Sequence, residues 1–321
     1  MPLETLEFEE PIAALLKEIE TISLLPRTDA GDREIEALTR RIETVRGDLY
    51  RSLTPWQRVL VARHPNRPGL EDFIQRLFTG FVEIHGDRRY ADDHALMTGF
   101  ADYKGQPVLL VGHVKGGDTK EKIFRNFGYA RPEGYRKALR AMRLAEKFHR
   151  PIVVFVDTPA AYPGIESEER GVAEAIAVNL RDMMMLDTSV IVIVSGEGGS
   201  GGALGIAVGD RVLMQEFAIY SVIPPEGCAA LVWRDASKKA EAAAALKLTA
   251  PDLLGFGIID EIVREPIGGA HTDPTAAALS VDVVLTRVLG EVSALSSEAR
   301  LEARYNKFRN IGRSGIDFID G

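Results

Sequence analysis

The chain has 321 residues, long enough for a sizeable core, with 45% hydrophobic residues and a net charge of −8 from 39 Lys+Arg against 47 Asp+Glu. That acidic balance argues against a general nucleic-acid surface, and the single cysteine, Cys228, excludes an internal disulfide and a Cys-rich zinc site in this chain. No apolar run approaches the ~18 residues of a membrane span, and the acidic stretch 4–10 is unlike a signal peptide, so no membrane segment and a cytoplasmic location are expected.

The first 50 residues read as a helical hairpin. Residues 11–24 carry Ile12, Leu15, Leu16, Ile19 and Ile22 on one face, and a turn follows at 26–31. Ile35, Leu38, Ile42, Val45 and Leu49 then keep a 3-4-3-4 spacing, the pattern of a coiled-coil seam. Such a hairpin can pack on itself or act as an arm against another subunit. Thr54-Pro55-Trp56-Gln57 is a capping box with Pro at the first helical position, so a third helix starts there. His64-Pro65-Asn66-Arg67-Pro68 breaks it, and a fourth helix is expected over 69–81. In Gly86-Asp87-Arg88-Arg89-Tyr90-Ala91-Asp92-Asp93 the alternating acids and arginines favour pairing with each other over a metal site.

From His94 the pattern changes to strands. Residues 96–103 and 106–113 make a hairpin about Lys104-Gly105. The basic loop 115–122 follows, then a helix opening at Pro132-Glu133-Gly134 with Ala138, Met142, Leu144, Ala145 and Phe148 on its face. A strand at 152–156 ends in Asp157-Thr158-Pro159-Ala160-Ala161-Tyr162-Pro163-Gly164, and a helix is expected over 168–186. The strand 190–194 runs into Gly196-Glu197-Gly198-Gly199-Ser200-Gly201-Gly202-Ala203. A further strand, 211–215, continues to 218–222; Pro224-Pro225-Glu226-Gly227-Cys228 restarts a helix, and 236–246 is an alanine-rich one. Asp273-Pro274 caps a helix pair running to about 310, and the last ten residues, with three glycines, are expected to be mobile. The chain thus divides into a helical segment 1–84, a core 85–270 and C-terminal helices with a tail over 271–321. Its class is α/β, opened by a hairpin rather than a βαβ unit.

The glycine-rich stretch admits three readings. Gly196, Gly198 and Gly201 meet the dinucleotide fingerprint, with Glu216 as the ribose acid. Gly198, Ser200 and Gly202 meet the hydrolase elbow, and Asp210, Asp235, Asp252 or Asp260 followed by His271 would complete the chain order of a triad. The third reading is an oxyanion hole built only of backbone N–H groups. A P-loop is excluded because no Lys-Ser/Thr follows the glycines. The four loops 115–122, 157–164, 196–202 and 222–227 all leave the carboxyl ends of successive strands, which makes one site of them.

These loops resemble the alpha-subunit family of the bacterial acetyl-CoA carboxylase carboxyltransferase, within the crotonase-like (ClpP/crotonase) superfamily. The likeness lies in Asp118-Thr119-Lys120-Glu121-Lys122-Ile123, Arg125-Asn126-Phe127-Gly128, Pro132-Glu133-Gly134-Tyr135-Arg136-Lys137-Ala138, Glu168-Glu169-Arg170-Gly171, residues 196–204, Pro225-Glu226-Gly227-Cys228-Ala229 and Glu265-Pro266-Ile267-Gly268-Gly269-Ala270-His271. It runs from about Leu6 to the C-terminal helices. Ala160 stands where the family pattern has glycine, and Val114 and Gly117 where Gln and Arg are expected.

The resemblance implies a ClpP/crotonase-like core of repeated ββα units with a helical N-terminal hairpin and C-terminal helices. It implies transfer of a carboxyl group from carboxybiotin, held on a separate carrier protein, to acetyl-CoA to give malonyl-CoA. Gly201 and Gly202 would form the backbone oxyanion hole on the biotin side; Gly198, Gly199, Ala160, Tyr162, Gly164, Lys120 and Arg125 would lie at the substrate. Implied partners are a beta subunit with a zinc ribbon, the biotin carboxyl carrier protein and biotin carboxylase, in an α2β2 carboxyltransferase; no metal is expected on this chain. Two other readings stand beside this one: a non-catalytic scaffold of the same superfamily, and a serine hydrolase using Ser200. Lys120, Lys122 and Arg125 can equally form a solvated face, Tyr162 can line the cleft or pack, and Cys228 reads as a packed residue.

Overall fold

A computed structural model describes residues 5–312; the tail beyond 312, expected to be mobile, lies outside the described residues. Helices α1 (Glu10–Ser23) and α2 (Asp29–Arg51) form the hairpin, and Thr28 caps α2 by accepting from Gly31 N. Ile12, Leu15, Ile19 and Ile22 pack against Leu38, Ile42, Val45 and Leu49, so the seam is spent within the hairpin itself. Helix α3 (Pro55–Ala62) begins at the reciprocal bonds Gln57 N to Thr54 Oγ1 (3.3 Å) and Thr54 N to Gln57 Oε1 (2.8 Å).

Helix α4 (Leu70–Leu77) is shorter than expected, because after Phe78 five residues form a strand, β1 (Thr79–Glu83). The helical expectation over 69–81 is corrected there. Phe78 is already extended, and Gly80 sits at φ +62°, which no helix accepts. The edge position of β1 against β2 supplies the pairing that propensity alone did not announce; Gly99 lacks a side chain where Phe81 lies, 2.5 Å from an ideal Cβ.

Strands β2 (Leu96–Tyr103) and β3 (Gln106–His113) make the expected hairpin, its turn formed by Lys104 at φ +53° and Gly105 at φ +86°. From β3 the sheet becomes parallel through β4 (Ile152–Thr158), β5 (Val190–Gly199), β6 (Arg211–Gln215) and β8 (Glu261–Val263). The distal part of β5 leaves β6 and pairs instead with β7 (Ile219–Ser221). The apolar runs of β4 and β5 are buried on both faces, as central parallel strands require.

Helices α6 (Pro132–Lys147) and α8 (Val172–Met183) cover one face, with Ala138, Met142 and Ala145 against Val154 and Val192. Phe148, expected on that face, is exposed because it lies past the last turn of α6. The other face is covered by α13 (Pro274–Ser293), whose Val281, Leu285 and Val288 meet Ile191, Ile193 and Leu213.

The single helix expected over 168–186 is two, α7 (Ile165–Glu169) and α8, because Gly171 breaks the run at φ +75°. Short helices α5 (Thr119–Phe124) and α9 (Ser200–Leu204) open the loops after β3 and β5. Helices α10 (Pro225–Trp233), α11 (Lys239–Leu246) and α12 (Ala250–Gly255) follow β7; α12 and β8 were not marked out in the sequence. Helix α14 (Ser297–Asn310) closes the described chain. Among the described residues no helix is long and apolar enough to cross a membrane.

Candidate active site

The site lies where β4 and β5 end side by side. A Cβ on Gly199 would stand 1.8 Å from Pro159 O, and one on Gly202 would stand 2.4 Å from Ala160 C and Ala161 N. The glycine stretch and the loop 157–164 therefore meet backbone to backbone, which glycine alone allows. Between them Ser200 takes φ +50°, and the chain turns into α9. Gly201 O accepts from Gly205 N (3.0 Å) and Gly202 O from the buried Tyr135 hydroxyl (3.3 Å). In a helix the N–H groups point opposite to the carbonyls, so those of the first turn of α9 face away from Tyr135 and have no partner four residues back within the helix. Ser200 and Gly201 line an apolar cleft of about 450 Å³ with Leu204, Tyr220, Val222 and Leu253.

Beside this backbone lies a chain of ion pairs. Lys115, just past β3, touches Asp157 (2.6 Å) and Glu197 (2.7 Å); Arg63, at the end of α3, touches Glu197 and Glu226 (2.6 Å each). Asp157 Oδ1 also accepts from Glu197 N at 2.8 Å. A Cβ on Gly196 would stand 2.3 Å from that Asp157 oxygen, so the carboxylate occupies the space the glycine leaves. Burial works to raise the Glu197 carboxyl, but Lys115 and Arg63 outweigh it and hold it down at about 2. Burial works equally to lower Lys115, and Asp157 and Glu197 raise it instead. Next to Lys115, burial and then the lysine charge push His113 down to about 3, so a neutral imidazole underlies the site. Composition and spacing missed Lys115, Asp157, Glu197 and Arg63 as a group. The available signal was one acid inside a run of glycines directly after an apolar strand.

The sequence-predicted residues fall into two sets. Gly199, Gly202 and Ala160 come together at the backbone contact, with Gly198 paired to Thr158 just before it, while Gly201 faces the cleft. Gly198 leaves room for the Tyr220 ring, 2.6 Å from an ideal Cβ. Tyr162 lies in the same loop, its N–H donated to Ala130 O and its ring under the Arg131 guanidinium (5.1 Å), while Gly164 clears that ring. Lys120 and Arg125 are apart from these. Lys120 is exposed on α5, whereas Arg125 is taken up by Glu71 (2.9 Å) and the His94 carbonyl; neither lines the apolar cleft. Val114 is buried, and Gly117 donates its N–H to Glu121. In the loop 86–93 the acids pair, but with bases outside the loop rather than with its own arginines: Asp87 with Arg136, and Asp92 with Lys137 and His85.

Two of the competing readings are corrected by this geometry. For a hydrolase, His271 would have to reach Ser200, but it stacks on His64 (centroids 3.9 Å) beyond the end of α3. The four candidate aspartates are also engaged: Asp210 with Arg304, Asp235 with Ser237, Asp252 with Thr249 and Asp260 with Lys307. For a dinucleotide site, α9 has five residues rather than a full Rossmann helix, and Glu216 pairs with Arg264.

Comparison with known proteins agrees with this arrangement. The structure resembles transcarboxylase 12S (TM-score 0.55, 20% identity, 69% of this chain and 42% of that one). It also resembles a Pseudomonas malonate decarboxylase hetero-tetramer chain (TM-score 0.56, 17% identity, 69% of this chain and 89% of that one). The fold is thus the crotonase-like α/β fold of these enzymes. Residues 5–312 match the family described as acetyl co-enzyme A carboxylase carboxyltransferase-like. The acetyl-coenzyme A carboxylase carboxyl transferase subunit alpha of Geobacter metallireducens is 54% identical over 313 residues, covering 96% of this chain and 97% of the relative. The chain belongs to the acetyl-CoA carboxylase carboxyltransferase alpha-subunit family.

Proposed function

We propose that Gly201 and Gly202 provide, through their backbone N–H groups, the oxyanion hole on the biotin side of the carboxyl transfer that forms malonyl-CoA from acetyl-CoA. The family carries out that transfer, from a biotin-linked donor and together with a beta subunit. The observation that supports the site reading is the turn at Ser200, where the chain enters α9 beside an apolar cleft with the N–H groups of its first turn unpaired within the helix. Negative charge that develops on a ureido oxygen suits fixed backbone donors, which stabilise it without reacting. The largely apolar walls of the cleft suit the uncharged bicyclic ring that bears that oxygen. This chain then holds and orients the carboxyl carrier's ring and shields it from water, and Gly198, Gly199, Ala160, Tyr162 and Gly164 act from the adjoining loop contact that supports the turn rather than from the cleft walls. Lys120 acts as an exposed charge for anionic substrate groups, and Arg125 as the tie that holds α5 in place.

Residues 85–270 form the catalytic unit, extended by the edge strand β1. The complete enzyme is an α2β2 assembly whose beta chains carry the zinc ribbon and most of the CoA site. It receives its carboxyl group from the biotin carboxyl carrier protein charged by biotin carboxylase, in the cytoplasm.

The direct test is malonyl-CoA-dependent carboxylation of free biotin, the reverse reaction, by the chain alone and with a matched zinc-ribbon beta chain. Activity only in the mixture is expected; silence despite a stable complex would favour the non-catalytic scaffold. Ser200→Ala is expected to keep activity within roughly ten-fold, because the transfer needs the N–H groups of the turn and not the hydroxyl. Loss beyond about a hundred-fold in the same assay would bring back a nucleophilic serine.

A further inference from the structure

We propose that Glu197, gripped by Lys115 and Arg63, is the positioning residue that fixes the glycine backbone of the site. Between Gly196 and Gly202 the chain has five glycines, Glu197 and Ser200. Ser200 lines the cleft, so Glu197 is the side chain through which the rest of the protein can hold this stretch. Backbone pairing there is thin. The register of β5 with β6 ends at Val194↔Met214, and its pairing with β4 is irregular between Val156 and Thr158. Beyond that, β4 returns only at the single pair Thr158↔Gly198, and the three-residue β7 lies along the other side.

The grip is well made. One Glu197 oxygen meets Arg63 Nε at 2.6 Å and the other meets Lys115 Nζ at 2.7 Å, with the Glu197 side chain 9% exposed. Lys115 passes the restraint to Asp157 at the end of β4, whose Oδ1 returns to Glu197 N. Arg63 passes it to Glu226 in the first turn of α10. Five segments that arrive from different parts of the chain are thereby tied together through one carboxylate, and two of them, α3 and α10, lie outside the sheet. Arginine suits position 63 because its fork reaches Glu197 and Glu226 with separate nitrogens, which a lysine ammonium does less well. A displacement of about 1 Å in a reacting arrangement can cost on the order of a hundred-fold in rate, so a flexible glycine run gains from such a restraint.

The proposal rests on the reading of Gly201 and Gly202 as the oxyanion hole, and the test separates the two. Glu197→Gln, Arg63→Lys, Arg63→Gln, the double variant Arg63→Gln/Glu197→Gln and Gly201→Val are each assembled with the beta chain and assayed for biotin carboxylation from malonyl-CoA. Glu197→Gln is expected to lower kcat by roughly ten- to a hundred-fold, with KM for malonyl-CoA within about two-fold and complex formation unchanged. Arg63→Lys should fall between wild type and Arg63→Gln, and the double variant should fall no further than the worse single variant. Unchanged kcat in Glu197→Gln, multiplying losses in the double variant, or a loss confined to KM or to complex stability would overturn the positioning role. If Glu197→Gln does not fold, Arg63→Lys, which keeps the charge, decides by the same kcat and KM split. Normal turnover in Gly201→Val would remove the oxyanion hole and this proposal together; a crippled Gly201→Val beside a normal Glu197→Gln would remove this proposal alone.

Discussion

Gly201→Val is expected to lower carboxyl transfer by about 10²–10³-fold in the assembled enzyme, the scale of losing one donor of an oxyanion hole. The position tolerates a side chain, since the nearest atom to an ideal Cβ is Ile176 Cδ1 at 3.6 Å, an ordinary contact. A branched side chain there covers the N–H groups and narrows the cleft, leaving the surrounding backbone in place. The neighbouring glycine behaves differently. Gly202→Val places its Cβ 2.4 Å from the Ala160–Ala161 backbone, so the loop 157–164 must move before any question of chemistry arises. Replacing Gly202 is therefore expected to perturb structure and activity together, and Gly201 is the cleaner probe. The comparison is read as turnover together with thermal unfolding: Gly201→Val should lose activity at a near-normal Tm, and Gly202→Val should lose both. A fully active Gly201→Val would refute the assignment of the hole to this turn.

The parts of the fold legible in the sequence were those written in local chemistry. The Thr54 capping box, the Lys104-Gly105 turn and the Asp273 cap each sit where local backbone preference and the structure agree. The 3-4-3-4 seam of α2 was legible as a seam, but its partner was not; packing against α1 is a tertiary choice between two surfaces of similar chemistry. Strand β1 was misread because Phe73 and the apolar residues after it continue a helical spacing, while the deciding fact is an open edge on β2 more than ten residues away. Strand β8 and helix α12 have three and six residues, too few to show a period.

The glycines of the site were legible because close backbone approach restricts residue type. The ion pairs that hold them were not. Lys115, Asp157, Glu197, Arg63 and Glu226 lie on five separate segments, and charge alone does not say which acid meets which base across 42 to 163 residues of chain. Arg125 shows the converse difficulty. An arginine in a family motif invites a ligand role, yet its guanidinium is occupied by Glu71 and by a main-chain carbonyl.

Arg304→Met is expected to destabilise the protein by about 3–5 kcal/mol, the cost of leaving a buried charge without its partner. The Arg304 side chain is fully buried on α14 and spends all five guanidinium N–H donors. Two go to the carboxylate of Asp210 at 2.9 Å each, and three to the carbonyls of Met183, Leu186 and Thr188. Asp210 in turn accepts from Val190 N at 2.7 Å, so the pair joins the C-terminal helix to the end of α8 and the entry of the central strand. Methionine fills much of the space but satisfies none of these acceptors. Lysine restores a charge without the planar fork, and should recover only part of the loss. Removing both charges, in Arg304→Met/Asp210→Asn, should cost less than the sum of the two single substitutions, since neither then strands the other. Denaturant unfolding of the four proteins measures this directly. Additive losses would mean that the two groups contribute independently and that the closing helix is held by its apolar contacts instead.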